Sequence, residues 1–323
     1  MTDVLRPLPW HKAHWQHMTR LALKAQMSHA WLLIGPKGVG KRHFAHAFTA
    51  FLLCESRGEY ACGLCRSCQQ LIAGHHPNAI HLQREVDEKT GKTKRDISVE
   101  QVRDLNERLA LSSHYGQAKI AVIDPADAFN ANSANALLKT IEEPPANSYL
   151  LLISERPQAL TATLRSRCQR LRFSTPAPAE SLEWLGADQK ARQALQLSYG
   201  APLLARELMV SGELERSQQW IREMNDIAAQ KRDPLAVAAA LTSAKTSAKN
   251  DAADFLQWLL LWLTSELRQA LTISDKARAN ACELMIRETL ESQRRLLGNG
   301  SPQLMLESLL VYWWRTHRQV KAA

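Results

Sequence analysis

The distribution of apolar residues divides this chain into an alternating part and a purely helical part. Between residues 30 and 173, short apolar runs bounded by polar residues alternate with stretches in which apolar residues recur at helical spacing. This alternation is typical of a parallel sheet covered by helices, so it predicts an α/β domain. The predicted strands are residues 31–34, 120–124, 149–154 and 171–173, and the predicted helices are residues 10–23, 42–53, 99–111, 126–142 and 159–164.

The strand pattern ends at a stretch rich in proline and small residues. Residues 174–179 have the sequence STPAPA, which is typical of a linker. Residues 181–209 then predict a few short helices, and helical spacing continues from residue 214 to the end. We therefore predict three domains, at residues 1–173, 174–208 and 209–323.

Two segments of the helical part are apolar on more than one face, at residues 255–263 and 304–314. Helices of this kind are buried on several sides. Two explanations stay open: part of this apolar surface meets another subunit, or all of it forms the core of a helical bundle.

The composition places the chain among globular proteins. It has 323 residues, of which 45% are hydrophobic and 23% are charged. Its net charge of +9 suits nucleic acid or another anionic partner, or a charge spread thinly over the surface. No apolar run approaches the roughly 20 residues that cross a bilayer. Because the first residues also lack the apolar core of a secretory signal, we expect a cytoplasmic protein.

The sequence GPKGVGKR follows the first predicted strand and precedes a predicted helix. Glycines let backbone N–H groups close around phosphate oxygens, and a lysine at the helix start adds positive charge. Gly35, Gly38, Gly40 and Lys41 are therefore candidate nucleotide-binding residues. A working loop continues with a serine or threonine that coordinates Mg²⁺. Here Arg42 follows, and its guanidinium has no acceptor and repels a cation.

A second nucleotide-binding element also departs from the active pattern. Asp124 ends a predicted strand, where an active site has an aspartate followed by a glutamate that orients the attacking water. The next residue here is Pro125, which can neither polarise water nor donate a proton. Asp127 lies three residues further on, and a helix-capping role is favoured for it. The hydroxyl that coordinates Mg²⁺ and the glutamate that orients water are both absent. The sequence therefore predicts a nucleotide site that does not hydrolyse its nucleotide.

Four of the six cysteines lie in one short window, at Cys54, Cys62, Cys65 and Cys68. Four thiolates at such spacing can close a tetrahedral Zn²⁺ site, and a closed site of this kind is structural. His75 and His76 are nearby, but four sulfurs complete the coordination, so we expect both to be surface or turn residues before Pro77. Cys168 and Cys282 stand alone and are expected to be buried thiols.

Two further segments carry a specific resemblance. They are ANALLKTIEEPP at residues 134–145 and LRSRC at residues 164–168. Together with the cysteine cluster, they resemble the clamp-loader branch of the AAA+ ATPases, over roughly residues 30 to 206. The resemblance implies an AAA+ P-loop domain with a parallel sheet and a zinc insert, followed by a small helical lid domain and an all-α collar domain.

The resemblance also implies a role for one arginine. Ser166, Arg167 and Cys168 match the motif whose arginine reaches into the ATP site of a neighbouring subunit. A guanidinium suits that role because it is permanently charged and its planar fork matches a phosphate. The alternative for Arg167 is a structural salt bridge at the start of a strand, and for Arg165 a structural role is favoured.

Two other family positions differ from the active pattern. The family's lid normally offers an arginine to its own nucleotide, and Leu203 occupies that position. Arg206, three residues later, could replace it, although this is the less favoured interpretation. Ser154 occupies the usual polar sensor position at a strand end and could have lost its purpose there.

The function implied by the resemblance is that of a non-hydrolysing subunit of a DNA polymerase holoenzyme. It would donate Arg167 to a neighbouring ATPase and help load a sliding clamp onto primed DNA. The implied partners in a hetero-oligomer are ATPase subunits of the gamma/tau type, a clamp-opening delta subunit, the clamp and primed DNA. Zn²⁺ would be structural, and ATP would be hydrolysed in neighbouring subunits. Two alternatives stay open: a self-sufficient ATPase with an atypical phosphate loop, and a zinc-containing DNA-binding protein that acts alone.

Overall fold

The computed structural model describes residues 5–87, 91, 93–111, 118–242, 248–297 and 300–322. The chain packs as two compact units. The first comprises Met1–Glu183 with Ala201–Leu203, and the second comprises Trp184–Gly200 with Leu204–Ala323. The three domain boundaries proposed from the sequence stay a prediction.

A parallel sheet of five strands forms the centre of the first unit. The strands are β1 (Ala30–Ile34), β2 (Ala79–Leu82), β3 (Lys119–Ile123), β4 (Ser148–Ser154) and β5 (Gln169–Arg172). They lie in the order β2-β3-β4-β1-β5, and each neighbouring pair is parallel. Because β1 lies between β4 and β5, the loop that follows β1 opens beside the carboxyl ends of both strands.

The helices alternate with these strands and then continue alone to the C-terminus. They are α1 (Lys12–Leu23), α2 (Lys41–Leu53), α3 (Arg66–Ile72), α4 (Val99–Ala110), α5 (Ala131–Glu142), α6 (Ala162–Arg167), α7 (Pro178–Leu185), α8 (Gln189–Leu197), α9 (Pro202–Ser211), α10 (Glu213–Ala228), α11 (Pro234–Thr242), α12 (Ala248–Thr272), α13 (Lys276–Leu297) and α14 (Pro302–Ala322). In the described part of the chain, no helix combines the length and apolar character that a membrane span requires.

The four predicted strands are confirmed, but β2 was missed. Its four residues alternate, with Ile80 and Leu82 buried and His81 exposed. It lies at the edge of the sheet, where a short, half-polar strand is common. Such a weak signal does not stand out beside the continuous apolar runs of β3 and β4.

The prediction of one helix over residues 126–142 is wrong. A 3₁₀ turn at Ala126–Ala128 is followed by a break, and α5 begins only at residue 131. Asn130 causes the new start, because its Oδ1 accepts the N–H of Ser133 at 2.9 Å while Ser133 Oγ accepts the N–H of Asn130 at 3.0 Å. Thr161 similarly caps α6 by accepting the N–H of Leu164, so the helix predicted at residues 159–164 lies later in the chain.

A chain of aromatic rings runs through the core of the second unit. Trp258 lies between Trp220 and Trp262, with ring centroids 5.1 and 5.7 Å away, and Trp262 approaches Trp313 at 5.6 Å. Trp313 also donates its indole N–H to the carbonyl of Met224 at 2.9 Å. An internal bundle core therefore explains most of the apolar faces of α12 and α14. Some apolar residues of these helices stay exposed, among them Leu261 and Leu304. That another subunit covers them stays a prediction.

Candidate functional site

The phosphate loop joins β1 to α2 and is packed tightly from two sides. Gly38 and Gly40 have φ angles of +79° and +92°, which side chains rarely adopt. A Cβ on Gly40 would lie 2.5 Å from Leu8 Cδ1, and one on Gly35 would lie 2.2 Å from the carbonyl oxygen of Phe173. Glycine is therefore required at these positions for the fold itself, apart from any phosphate.

We expect Gly35→Ala to lower the free energy of unfolding by about 1–3 kcal/mol, because backbone must shift to admit the methyl group. Chemical denaturation of the purified chain measures this change. Gly58→Ala is a matched control, since an added Cβ there meets no atom within 4 Å. Its effect should stay within about 0.5 kcal/mol. Equal stabilities for the two variants would contradict the tight packing at Gly35.

Lys41 is buried at the start of α2, and its ammonium is held by the loop that it follows. Its Nζ donates to the carbonyl oxygens of Gly35 at 2.8 Å and Pro36 at 2.7 Å. Burial lowers the pKa of Lys41, although the negative charges of Glu155 and Asp124 oppose the shift. The lysine thus stabilises the conformation of the loop by binding two of the loop's carbonyl oxygens.

Arg42 and Asp124 form an ion pair across the end of the sheet. Arg42 Nε donates to Asp124 Oδ2, although the two residues are 82 positions apart in the chain. Both residues occupy positions where an active enzyme would hold Mg²⁺. Arg42 replaces the hydroxyl ligand, and Asp124 is the aspartate at the end of the strand. In the fold the guanidinium supplies the positive charge that this carboxylate requires. Arg42, although its side chain is 68% exposed, therefore lies against the carboxylate of Asp124 where a metal ion would bind.

Asp127 does not cap a helix, and that interpretation is wrong. Its carboxylate accepts three hydrogen bonds, from the hydroxyl of Ser154 at 2.6 Å and from the backbone N–H groups of Glu155 at 2.8 Å and Arg156 at 2.9 Å. Asp127 thereby fixes the loop that leaves β4. Ser154, the sensor position, is fully buried and donates its hydroxyl proton to this carboxylate.

The N-terminal segment contacts the phosphate loop, which sequence analysis missed. Trp10 Nε1 and His11 Nε2 both donate to the carbonyl of Val39 at 2.9 Å. Burial lowers the pKa of His11 to about 3, so the ring is neutral and keeps a single N–H to donate. His14 stacks on Phe173 with ring centroids 4.6 Å apart. The group of aromatic and histidine residues between positions 10 and 15 is the sequence signal that could have indicated this contact.

Leu203 and Arg206, the two residues considered for the role of the lid arginine, have different surroundings. The backbone N–H of Leu203 donates to the carbonyl oxygen of Gly38 at 3.0 Å within the first unit. Within the second unit, the guanidinium of Arg206 lies 4.6 Å from the ring centroid of Trp184, a cation–π contact. Replacement of the lid arginine by Arg206 stays a prediction.

Arg167 is the last residue of α6, and its side chain is 38% exposed. Its Nε lies 2.6 Å from Glu142 Oε1, and its Nη1 donates to the carbonyl of Thr163 at 3.2 Å. Glu142 is itself about half exposed, at 47%. An ion pair in contact with water contributes about 0–1 kcal/mol, so water and other anions can compete for this arginine.

The four clustered cysteines converge on one point. Their sulfur atoms all lie within 4.8 Å of one another, with Cys54 to Cys65 and Cys62 to Cys68 both at 4.0 Å. Sulfurs that share a tetrahedral zinc ion at about 2.3 Å are roughly 3.8 Å apart. The donor set and its spacing therefore fit a structural metal site, and zinc is the ion we propose.

Backbone N–H groups point at these sulfurs. Cys62 Sγ accepts from Leu64 at 3.4 Å and from Cys65 at 3.3 Å, and these contacts lower the pKa of Cys62 to about 6. Cys54 Sγ accepts from the N–H of Cys62 at 3.2 Å. Burial raises the pKa of Cys54 and of Cys68. The backbone thus favours the thiolate at the partly buried Cys62, and a bound metal would favour the thiolates of the buried Cys54 and Cys68.

His76 is not a surface residue, contrary to the sequence-based expectation. It is 5% exposed, its Nδ1 accepts the N–H of Asn78 at 3.1 Å, and its Nε2 meets Ser67 Oγ at 3.0 Å. Ser67 donates in turn to the carbonyl of Leu53 at 2.7 Å. This network connects α2 and α3 beside the cysteine cluster. His75 is exposed, and the cluster includes neither histidine.

A solved structure shares this fold. It is a DNA polymerase III gamma-subunit-related protein from Thermotoga maritima, which aligns with a TM-score of 0.51 and 14% identity over 93% of this chain and 99% of that chain. At this identity the likeness concerns the fold alone. The strand order, the phosphate loop after β1 and this likeness define an AAA+ fold, as the sequence predicted.

The family is narrower than the fold. The family model "DNA polymerase III, delta subunit" matches residues 10–177. The DNA polymerase III subunit delta' of Pseudomonas aeruginosa is 35% identical over 94% of this chain and 96% of the relative. The subunit delta' of Escherichia coli is 35% identical over 61% of this chain and 59% of the relative. The chain therefore belongs to the DNA polymerase III delta' subunit family, in the clamp-loader branch of AAA+ proteins.

Proposed function

We propose that this chain serves the DNA polymerase III clamp loader as a subunit that does not hydrolyse ATP itself. It lends Arg167 to the ATP site of a neighbouring subunit and helps place the sliding clamp on primed DNA. Its partners are ATPase subunits of the gamma/tau type, the clamp-opening delta subunit, the clamp and DNA. It acts in the cytoplasm as part of a hetero-oligomer and carries one structural Zn²⁺.

The ion pair between Arg42 and Asp124 carries the non-hydrolysing part of this proposal. Hydrolysis needs a metal ion that bridges the phosphates, and the protein normally holds it with a hydroxyl and an aspartate. Here the hydroxyl is absent and the aspartate is already paired with a cation. Pro125 follows it and cannot orient a water molecule. The remaining parts, Lys41 and the loop glycines, can bind phosphate without supporting its transfer.

We expect the isolated chain to show no ATP turnover above the rate in buffer, in the presence of Mg²⁺. A phosphate-release assay at micromolar protein measures this, with Lys41→Ala as the companion variant. Both proteins should give the same background rate. Turnover by the parent chain that Lys41→Ala abolishes would support the alternative, a self-sufficient ATPase with an atypical loop.

The surroundings of Arg167 support its donation to a neighbour. A residue that acts in another subunit must be exposed, permanently charged and only weakly bound in its own subunit. Arg167 is partly exposed and pairs with a carboxylate that is itself about half exposed. Arg165, two residues earlier in α6, has no carboxylate partner among the described residues and donates to the carbonyl of Pro157 at 3.3 Å.

The alternative of a zinc-containing DNA-binding protein that acts alone makes a different prediction. Such a protein would purify from its native host as a single chain, whereas a loader subunit would bring the ATPase subunits with it. Affinity purification under mild salt, followed by identification of the bound chains, separates the two. Recovery of the single chain at every salt concentration would contradict the proposal.

A further inference from the structure

A cavity of about 840 Å³ lies at the carboxyl ends of β1 and β5, within the first unit. Gly35, at the start of the phosphate loop, and Pro157, in the loop after β4, both form part of its wall. Its volume is in the range of pockets that hold a nucleotide-sized ligand, about 300–1,000 Å³. The cavity is separate from the Arg42–Asp124 pair and from the Arg167–Glu142 pair, since none of those four residues lines it.

Three arginines line this cavity: Arg165 from α6, and Arg170 and Arg172 from β5. Arg170 and Arg172 are two residues apart on a strand, so they project to the same face with Cα atoms about 6.6 Å apart. Both are exposed, whereas Arg165 is partly buried and anchored through Nη1 to the carbonyl of Pro157 at 3.3 Å. The cavity is therefore lined by one guanidinium that is hydrogen-bonded to the backbone and by two that are exposed.

The charge of this cavity is not balanced within the part of the chain that the structure describes. None of its described lining residues is acidic, and none of the three arginines forms an ion pair with a described carboxylate. Arginines gathered without a carboxylate partner repel one another, and an anion relieves that repulsion. The neutral donors Gln158 and Ser174 also line the cavity.

We propose that this cavity binds the phosphate oxyanions of a free nucleotide or of a nucleic-acid backbone. Phosphate is the anion that suits it best, because one phosphate group accepts bidentate hydrogen bonds from a guanidinium fork. Several linked phosphates can also engage three arginines at once, which a single carboxylate cannot do. The ligand would lie along the edge strand β5, which pairs only with β1 among the strands that the structure describes.

Binding measurements on the full chain test this site with two probes, fluorescently labelled ATP without Mg²⁺ and labelled primed DNA. The variant is Arg170→Gln combined with Arg172→Gln. The matched control, Arg192→Gln with Arg222→Gln, removes the same charge from exposed positions of the second unit. Arg170→Gln alone serves as a milder variant, and thermal unfolding verifies that each protein is folded.

The β5 double variant should bind at least one probe about tenfold more weakly, or worse, because each guanidinium makes charge-assisted hydrogen bonds. The control should stay within about twofold of the parent. A loss for ATP identifies a free nucleotide as the source of the phosphates, and a loss for primed DNA identifies the backbone. Equal losses in the variant and the control, or no loss for either probe, would overturn the proposal. Loss of ATP binding in Lys41→Ala alone would overturn it for nucleotides, since the loop would then be the site.

Discussion

Replacing Arg167 by alanine in the assembled loader is expected to slow ATP hydrolysis at the neighbouring site by on the order of 10³-fold or more. The guanidinium would stabilise the charge that develops on the transferred phosphate, and alanine cannot do so. The isolated variant should remain folded, because the ion pair with Glu142 contributes at most about 1 kcal/mol. Single-turnover hydrolysis with the reconstituted assembly measures the change, and size-exclusion chromatography verifies that the assembly forms.

Glu142→Gln is the informative control for this experiment. It removes the carboxylate that lies 2.6 Å from Arg167 Nε but keeps the arginine itself. If Arg167 acts in the neighbouring site, Glu142→Gln should retain hydrolysis within about threefold, since it removes only a weak surface pair. If Arg167 is only half of a structural salt bridge, the two variants should behave alike. Unchanged hydrolysis in Arg167→Ala would refute the donated role outright.

Loss of the metal is the second change with a large expected effect. Cys65→Ser should release zinc and loosen the segment at residues 54–73, because the four sulfurs converge there on one point. Structural zinc contributes about 10–16 kcal/mol of binding free energy in small zinc-finger peptides. Part of this segment packs on a stable core that includes Ala50. We therefore expect a loss of several kcal/mol that is confined to this segment.

Two measurements check this outcome. Atomic absorption should give one zinc ion per parent chain and less than one in Cys65→Ser, and hydrogen exchange should rise over residues 54–73. Cys282→Ala is the matched control, because it removes a buried thiol far from the cluster in sequence. It should retain the metal. Since thiolates are the ligands, metal retention should also weaken as the pH falls. A parent chain that holds no metal and is fully stable would rule out the zinc site.

Local patterns were enough for the parts of the fold that depend on neighbouring residues. The strands of the central sheet were predictable because continuous apolar runs such as that of β4 are buried on both faces. The edge strand β2 was not predictable in this way, because half of its side chains face water. The single helix predicted over residues 126–142 failed at Asn130, whose capping hydrogen bonds outweighed the helical spacing on either side.

In the candidate site too, some features were predictable from the sequence and others depended on the fold. The sequence showed that Arg42 cannot hold a metal, but only the fold brought it to Asp124. Asp127 was interpreted as a helix cap because its local context allowed it, whereas the fold gave it the hydroxyl of Ser154 instead. Neither pairing follows from spacing, because each joins segments at the carboxyl ends of different strands, and the strand order across the sheet differs from the order in the chain.

The sequence by itself determined the phosphate loop, its missing metal ligand, the four-cysteine cluster and the motif around Arg167. Each consists of residues close together in the chain, and residue type and spacing alone limit their chemistry. The tertiary structure alone decided which charges meet: Arg42 with Asp124, Arg167 with Glu142, and Arg165 of α6 with the two arginines of β5. The physical reason is that electrostatic interactions depend on distance in space, and the strand order of the sheet sets that distance.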